Sequence, residues 1–211
     1  MSDIFEFRGA SDLVYAEVTA DNEDTYTTGT VKPLAGLAKV SKQTASSKNT
    51  KYYDNKPRLV ITDDGEDTIT LDVSALDLET YADITGQYYD SATGLLVETL
   101  RKSKTFALGY KTQNSNGDDI YVWRLKGSFD NPNEDHETRN GQANSNGQTL
   151  VYTGIYTTHK FDKISDFTDD DGSGKSVVVN VSKGLISDAD IEAFFDEVQT
   201  PDSINPKTPS A

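Results

Sequence analysis

The chain has 211 residues, no cysteine and a net charge of −15, from 35 acids against 20 bases. Disulfides, thiolate metal sites and cysteine nucleophiles are therefore excluded, and a surface this acidic repels nucleic-acid phosphates. Hydrophobic residues make up only 35% of the chain, but they are clustered and include 11 Tyr and 8 Phe, which suits one large β domain.

The N-terminus, Met1-Ser2-Asp3-Ile4-Phe5-Glu6, lacks a basic region followed by an apolar run, so no secretion signal is expected. No stretch approaches the ~20 apolar residues of a membrane span, and no membrane partner is expected. Short strands are predicted at Leu13–Val18, around Phe106, Leu108 and Tyr110, and at Leu150–Tyr156 and Val177–Val181. Leu59-Val60-Ile61 and Ile69, Leu71, Val73 read as a hairpin turning at Asp63-Asp64-Gly65. The clearest strand is Ile120–Phe129. Tyr121, Trp123, Leu125 and Phe129 alternate on one face, and the other face turns from Ile120 and Val122 to Arg124, Lys126 and Ser128.

Two helices stand out. Ser74-Ala75-Leu76-Asp77 resembles a capping box, opening a helix with Leu78, Tyr81, Ala82 and Thr85 on one side and Gly86 as its stop. Ser187 opens a second, whose Ile191, Phe194, Phe195 and Val198 form an apolar stripe. Residues 39–58 hold Lys39, Lys42, Lys48, Lys51, Lys56 and Arg58 against one acid, Asp54, and read as a long basic loop. Residues 130–148 read as a second polar loop, and 200–211, with Pro201, Pro206 and Pro209, as a flexible tail. The expected organisation is one domain over residues 1–199.

Catalytic signatures are incomplete. Gly172-Ser173-Gly174-Lys175-Ser176 looks like the end of a phosphate-binding loop, but that loop needs glycine where Asp169 stands, and a strand follows it instead of a helix. Asp169-Asp170-Asp171-Gly172 offers hard-cation oxygens without the spaced ligands of an EF-hand. His136 lies in a polar run and is expected to be exposed; His159 is expected to be structural. Trp123 could offer a carbohydrate platform, but its place on an apolar face favours core packing. No catalytic, cofactor or metal residue is assigned, and the chain is expected not to be an enzyme.

A family likeness lies in the order of several pieces. Leu13-Val14-Tyr15-Ala16-Glu17-Val18 is followed by Gly29-Thr30-Val31-Lys32-Pro33-Leu34 and Ala35-Gly36-Leu37. Leu71–Leu78 leads into the helix that ends Ile84-Thr85-Gly86. Then come Phe106-Ala107-Leu108-Gly109-Tyr110, Tyr121-Val122-Trp123-Arg124-Leu125-Lys126-Gly127-Ser128-Phe129, and Pro132, Glu134 and Thr138. In this order the chain resembles the major tail proteins, or tail tube proteins, of bacteriophages with long non-contractile tails, over most of residues 10–160. The resemblance implies a mainly β fold, a β-sandwich or barrel with a flanking helix and a C-terminal helix. It implies hexameric rings that stack into a tube, assembled in the host cytoplasm and carried in the virion tail. The partners implied are further copies of the chain, a tape-measure protein, and tail terminator and distal tail proteins, with DNA passing through the lumen unbound. An acidic lumen would suit that passage, and the basic 39–58 stretch would meet acidic surfaces on a neighbouring subunit. The competing reading is a monomeric β-sandwich binding module, an adhesin or carbohydrate-binding domain; a hydrolase with an unrecognised acidic pair is the third.

Overall fold

The computed structural model describes residues 4–134, 136, 147–165 and 172–208. The chain is mainly β. Eleven strands are seen among the described residues: β1 Phe7–Asp21, β2 Tyr26–Thr28, β3 Lys32–Pro33, β4 Leu37–Tyr53, β5 Lys56–Val73, β6 Tyr88–Asp90, β7 Leu95–Val97, β8 Phe106–Asn114, β9 Asp119–Phe129, β10 Gln148–Gly154 and β11 Ser176–Asn180. Helices α1 Leu78–Thr85, α2 Asp162–Ser165 and α3 Asp188–Glu192 flank them. One antiparallel sheet runs β2-β1-β8-β9-β10-β5-β4, with β3 on β1 and β11 on β9, while β6 and β7 form a separate ribbon. The sheet forks at β9. β10 pairs with its end, Gly127–Phe129, and β11 with its beginning, Ile120–Arg124, along the same edge.

Both faces of the central strands are buried, in two cores. Leu13, Tyr15, Phe106, Leu108, Tyr110 and Val122 point into one, together with Ile69, Leu71, Val73 and Leu150 from the β5–β10 side. Ala16, Ala107, Trp123 and Leu125 point the other way, where Phe161, Val177, Phe194 and Val198 cover them. The period-2 alternation of a strand produces this split directly. Small residues alternate with large in β8 because the Trp123 ring lies across them. A Cβ on Gly109 would stand 2.8 Å from Val14 Cγ2 and 2.9 Å from Trp123 Cη2, so only glycine fits there. Phe129 departs from the expected alternation and joins the first core. The β8–β9 register shows why: Phe106 faces Gly127 but Leu108 faces Arg124, so β9 carries one extra residue. That bulge reverses the side-chain parity beyond it.

Several elements differ from the sequence reading. Residues 39–58 are not a loop. They form most of β4, the turn and the start of β5, and the turn lies at Asp54-Asn55. Both turn residues have positive φ, 51° and 60°, as a two-residue type I′ hairpin turn requires. Asp63-Asp64-Gly65 is no turn; Leu59–Ile61 and Ile69–Val73 belong to the one long β5. The glycine marks a bulge, since Thr44 faces Asp67 and Ser46 faces Asp64. α1 starts one turn later than the box motif suggests. Asp77, not Ser74, is its cap, accepting from Thr80 N at 2.8 Å, while Ser74 Oγ accepts from Gly36 N at 3.0 Å. Ala82 and Thr85 are buried on α1 as expected, Ile84 is buried with them, and Leu78 is half exposed. Gly86 closes the helix in the left-handed region, as expected.

At the C-terminal end, Ser187 caps α3 by accepting from Asp190 N at 3.1 Å. The helix is only five residues long, and Phe194 and Val198 are buried by the turns that follow it. Residues 200–208 are not a free tail. Ser187 N donates to Asn205 O at 3.0 Å, Lys207 N to Leu185 O at 2.9 Å, and Asn205 N to Asp190 Oδ2 at 2.6 Å. Of the expected 130–148 loop, Pro132 is buried and Asn133 bridges Thr149. Residues 135 and 137–146, with Thr138 among them, lie outside the described residues, as do Asp169, Asp170, Asp171, Pro209 and the last two residues.

Candidate assembly surface

From about Ser46 the β4–β5 hairpin leaves the body of the protein. β5 is buried at alternate positions only from Asp67 onward, and Lys56–Glu66 are exposed throughout. The paired stretch Ser46–Tyr53 gives an arm of roughly 25 Å at strand rise. Cross-strand pairing puts Asn49 beside Ile61 and Lys51 beside Leu59 on one face, and Lys48 beside Thr62 and Thr50 beside Val60 on the other. Each face thus combines apolar side chains with lysines. Tyr52 is 67% exposed, Tyr53 58%, Leu59 49%, Val60 56% and Ile61 49%. An isolated two-stranded ribbon is marginally stable in water, and large apolar side chains exposed on both faces of one ribbon are of the kind that marks an interaction site.

A second, shorter ribbon lies beyond α1. Asp90 shapes its turn, accepting from Ala92 N at 3.0 Å and Thr93 Oγ1 at 2.6 Å. Tyr88 and Leu95 are more than half exposed on it, and Leu100, just after it, is almost fully so. At its base, Asp83 of α1 gathers three donors: Lys104 and Lys32 at 2.8 Å each and the Tyr15 hydroxyl at 3.0 Å. Burial would raise the Asp83 pKa, but hydrogen bonds from Lys104, Lys32 and Tyr15 outweigh it and hold the carboxyl below its ordinary range. Lys104 also reaches Glu17 at 3.2 Å. These partners lock α1 onto β1 and the Lys104 segment, which fixes the base of the ribbon.

A second charged group lies at the sheet fork. Asp67, 3% exposed, is approached by Lys42 at 3.3 Å, Arg124 at 3.5 Å and Lys175 at 3.7 Å, and accepts from Thr44 Oγ1 at 2.8 Å. Its pKa is lowered; burial acts upward, and the hydrogen bonds from Thr44 and Lys42 prevail.

The residues singled out for chemistry are dispersed. Lys175, of the phosphate-loop lookalike, is engaged with Asp67 and lies 4.4 Å from the Tyr156 ring centroid, and β11 follows it. His136 is exposed beside Glu134 at 3.4 Å. His159 packs edge-on to Phe161, its Nδ1 3.2 Å from Glu23 O. Trp123 is fully buried, so it offers no platform to a sugar. Among the described residues, no group of three or more His, Asp or Glu is placed to hold a metal, and no helix is long and apolar enough to cross a membrane. What the sequence reading missed is that this basic stretch is a hairpin arm and not a loop. Its signal was present: Tyr-Tyr, a two-residue Asp-Asn turn, then Lys-Pro-Arg-Leu-Val-Ile. No protein-family model and no curated protein matches this chain.

Proposed function

We propose that the chain is a self-assembling structural subunit of the tail-tube kind, which forms rings that stack into a conduit for DNA. One observation carries the reading: the β4–β5 arm, apolar and basic on both faces, has no covering partner within the described chain. Covering the exposed half of Tyr52, Tyr53, Leu59, Val60 and Ile61 is worth roughly 1 kcal/mol each, and the contact repeats for every subunit of a ring. The arm's lysines on a chain of net charge −15 would seek acidic surfaces on another copy, which sets orientation as well as affinity. The remaining acidity suits a lumen past which phosphates slide without sticking. The order of motifs over residues 10–160 supports the tube over other assemblies.

The test is self-association. Purified protein, concentrated and viewed by negative-stain electron microscopy, is expected to form rings or tubes, with a matching rise in sedimentation coefficient. A strictly monomeric species at every concentration would overturn the reading in favour of a monomeric binding module.

A further inference from the structure

A cleft of about 560 Å³ opens into the first core between β1 and the β4 end of the sheet. Val40, Ile120 and Val122 contribute its apolar wall, Lys39 and Lys42 lie along it, and Arg124 closes one side. Arg124 is a charged side chain only 8% exposed. Its Nε is buried without a hydrogen-bond partner, and its other contacts are long: 3.4 Å to the Tyr110 hydroxyl and 3.5 Å to Asp67. Charge-assisted hydrogen bonds are usually about 2.8 Å. Asp67 is in no position to shorten them, because one carboxylate serves Lys42, Lys175 and Thr44 as well. Three cations around one acid leave an excess of two positive charges in this group, and two of the cations, Lys42 and Arg124, line the cleft. A buried guanidinium gains most from a planar acceptor that meets its fork.

We propose that this cleft binds a carboxylate carried on an apolar stem, with the carboxylate on Arg124 and the stem against Val40, Ile120 and Val122. The cavity volume and the balance of apolar wall to polar anchor fit a small-ligand site. The carboxylate belongs either to a free small molecule or to an Asp or Glu side chain of a second copy. The site stands on its own geometry and does not depend on ring formation.

The probe is hexanoate, titrated into dilute ¹⁵N-labelled protein at constant ionic strength while the Arg124 Nε–H resonance is followed. A saturable shift with a dissociation constant of about 1 mM or tighter is expected. With binding to the variants read from the backbone amide of Val122, which lines the same cleft, Arg124→Met should weaken binding about 10-fold or more, and Lys39→Met, which alters an exposed side chain, about 2-fold. If Arg124→Met does not fold, the wild-type titration and the Lys39→Met variant carry the test. An Arg124 resonance that does not move, or equal affinity in the variants, overturns the proposal. A second arm raises protein concentration without hexanoate. A shift of the same resonance that hexanoate reverses identifies the second copy as the source; a resonance insensitive to concentration, with hexanoate still binding, identifies a free carboxylate.

Discussion

The indole Nε1–H of Trp123 donates to the carbonyl of Phe194 across 2.8 Å, and both side chains are fully buried. The central strand is thereby tied to the C-terminal segment, 71 residues further on. Tyr121, on the same face of β9, packs edge-on to Phe194 and tilted against Phe195, with centroids 5.1 and 5.0 Å away. Trp123→Phe removes the donor, leaves the Phe194 carbonyl unpaired in the core and opens a small void. The expected cost is about 2–4 kcal/mol, measured as a lower urea midpoint. An unchanged midpoint would show that the C-terminal segment contributes little to the second core.

The proposed role of the arm predicts that assembly can be separated from folding. Leu59 and Ile61 share one of its faces and belong to neither core, so Leu59→Ser with Ile61→Ser should shift stability by no more than about 0.5–1 kcal/mol. The same pair should abolish rings in negative stain. Reversing Lys48, Lys51 and Lys56 to Glu should likewise impair polymerisation more than folding. Tube yield unchanged in both variants, with melting curves unchanged as well, would remove the arm from the assembly.

How far the fold could be read from the sequence follows from where the apolar pattern is strong. β1, β8 and β9 alternate cleanly around Tyr15, Leu108 and Trp123, and those strands were legible. Gly86 and Ser187 mark helix ends through backbone chemistry that is local, and they too were legible. β4 was not, because its 17 residues are exposed or half-exposed. Lys, Ser, Thr and Asn fill both faces, and without a buried face there is no period to find. The bulge in β9 is set by the sheet fork, a contact between distant segments, so the side on which Phe129 lands is invisible locally. The cationic group at Asp67 joins residues from β4, β5, β9 and the turn before β11, and no linear motif announces it.

Gly127 lies opposite Gly154 in the β9–β10 pair, where the sheet divides. A Cβ there would stand 2.4 Å from the Thr153 carbonyl oxygen and 2.4 Å from the Tyr152 ring. Neither can retreat, since Tyr152 is fully buried and its hydroxyl donates to Phe106 O at 2.8 Å. Gly127→Ala should cost about 2–3 kcal/mol through overpacking, read as a fall in melting temperature of several degrees. The contrasting substitution is Gly29→Ala, where the nearest atom to the new Cβ is 3.7 Å away, and it should be nearly neutral. Equal losses in the two variants would mean that the close approach at the fork is not what demands glycine.

Acid should destabilise the protein through aspartates whose pKa is lowered, among which Asp21, Asp67 and Asp83 each hold a lysine. Asp21 receives Lys126, Thr158 N and His159 N, and its pKa is lowered; burial pushes upward, and these hydrogen bonds overcome it. Asp67 and Asp83 are lowered in the same way. A carboxyl whose folded pKa lies below its unfolded value, near 3.8, binds more protons unfolded than folded around that pH. Its stabilising contribution is therefore complete above the unfolded value and drains away as pH falls through the folded one. Stability to urea should hold steady from these groups between pH 7 and pH 5, then drop steeply below about pH 4. Asp21→Asn should lower stability at neutral pH, because Lys126 keeps only the Thr158 hydroxyl and loses its charged partner, and should flatten the acid limb because one of the linked protons is gone. A limb of undiminished slope in Asp21→Asn would assign acid sensitivity to carboxylates elsewhere on this highly charged surface.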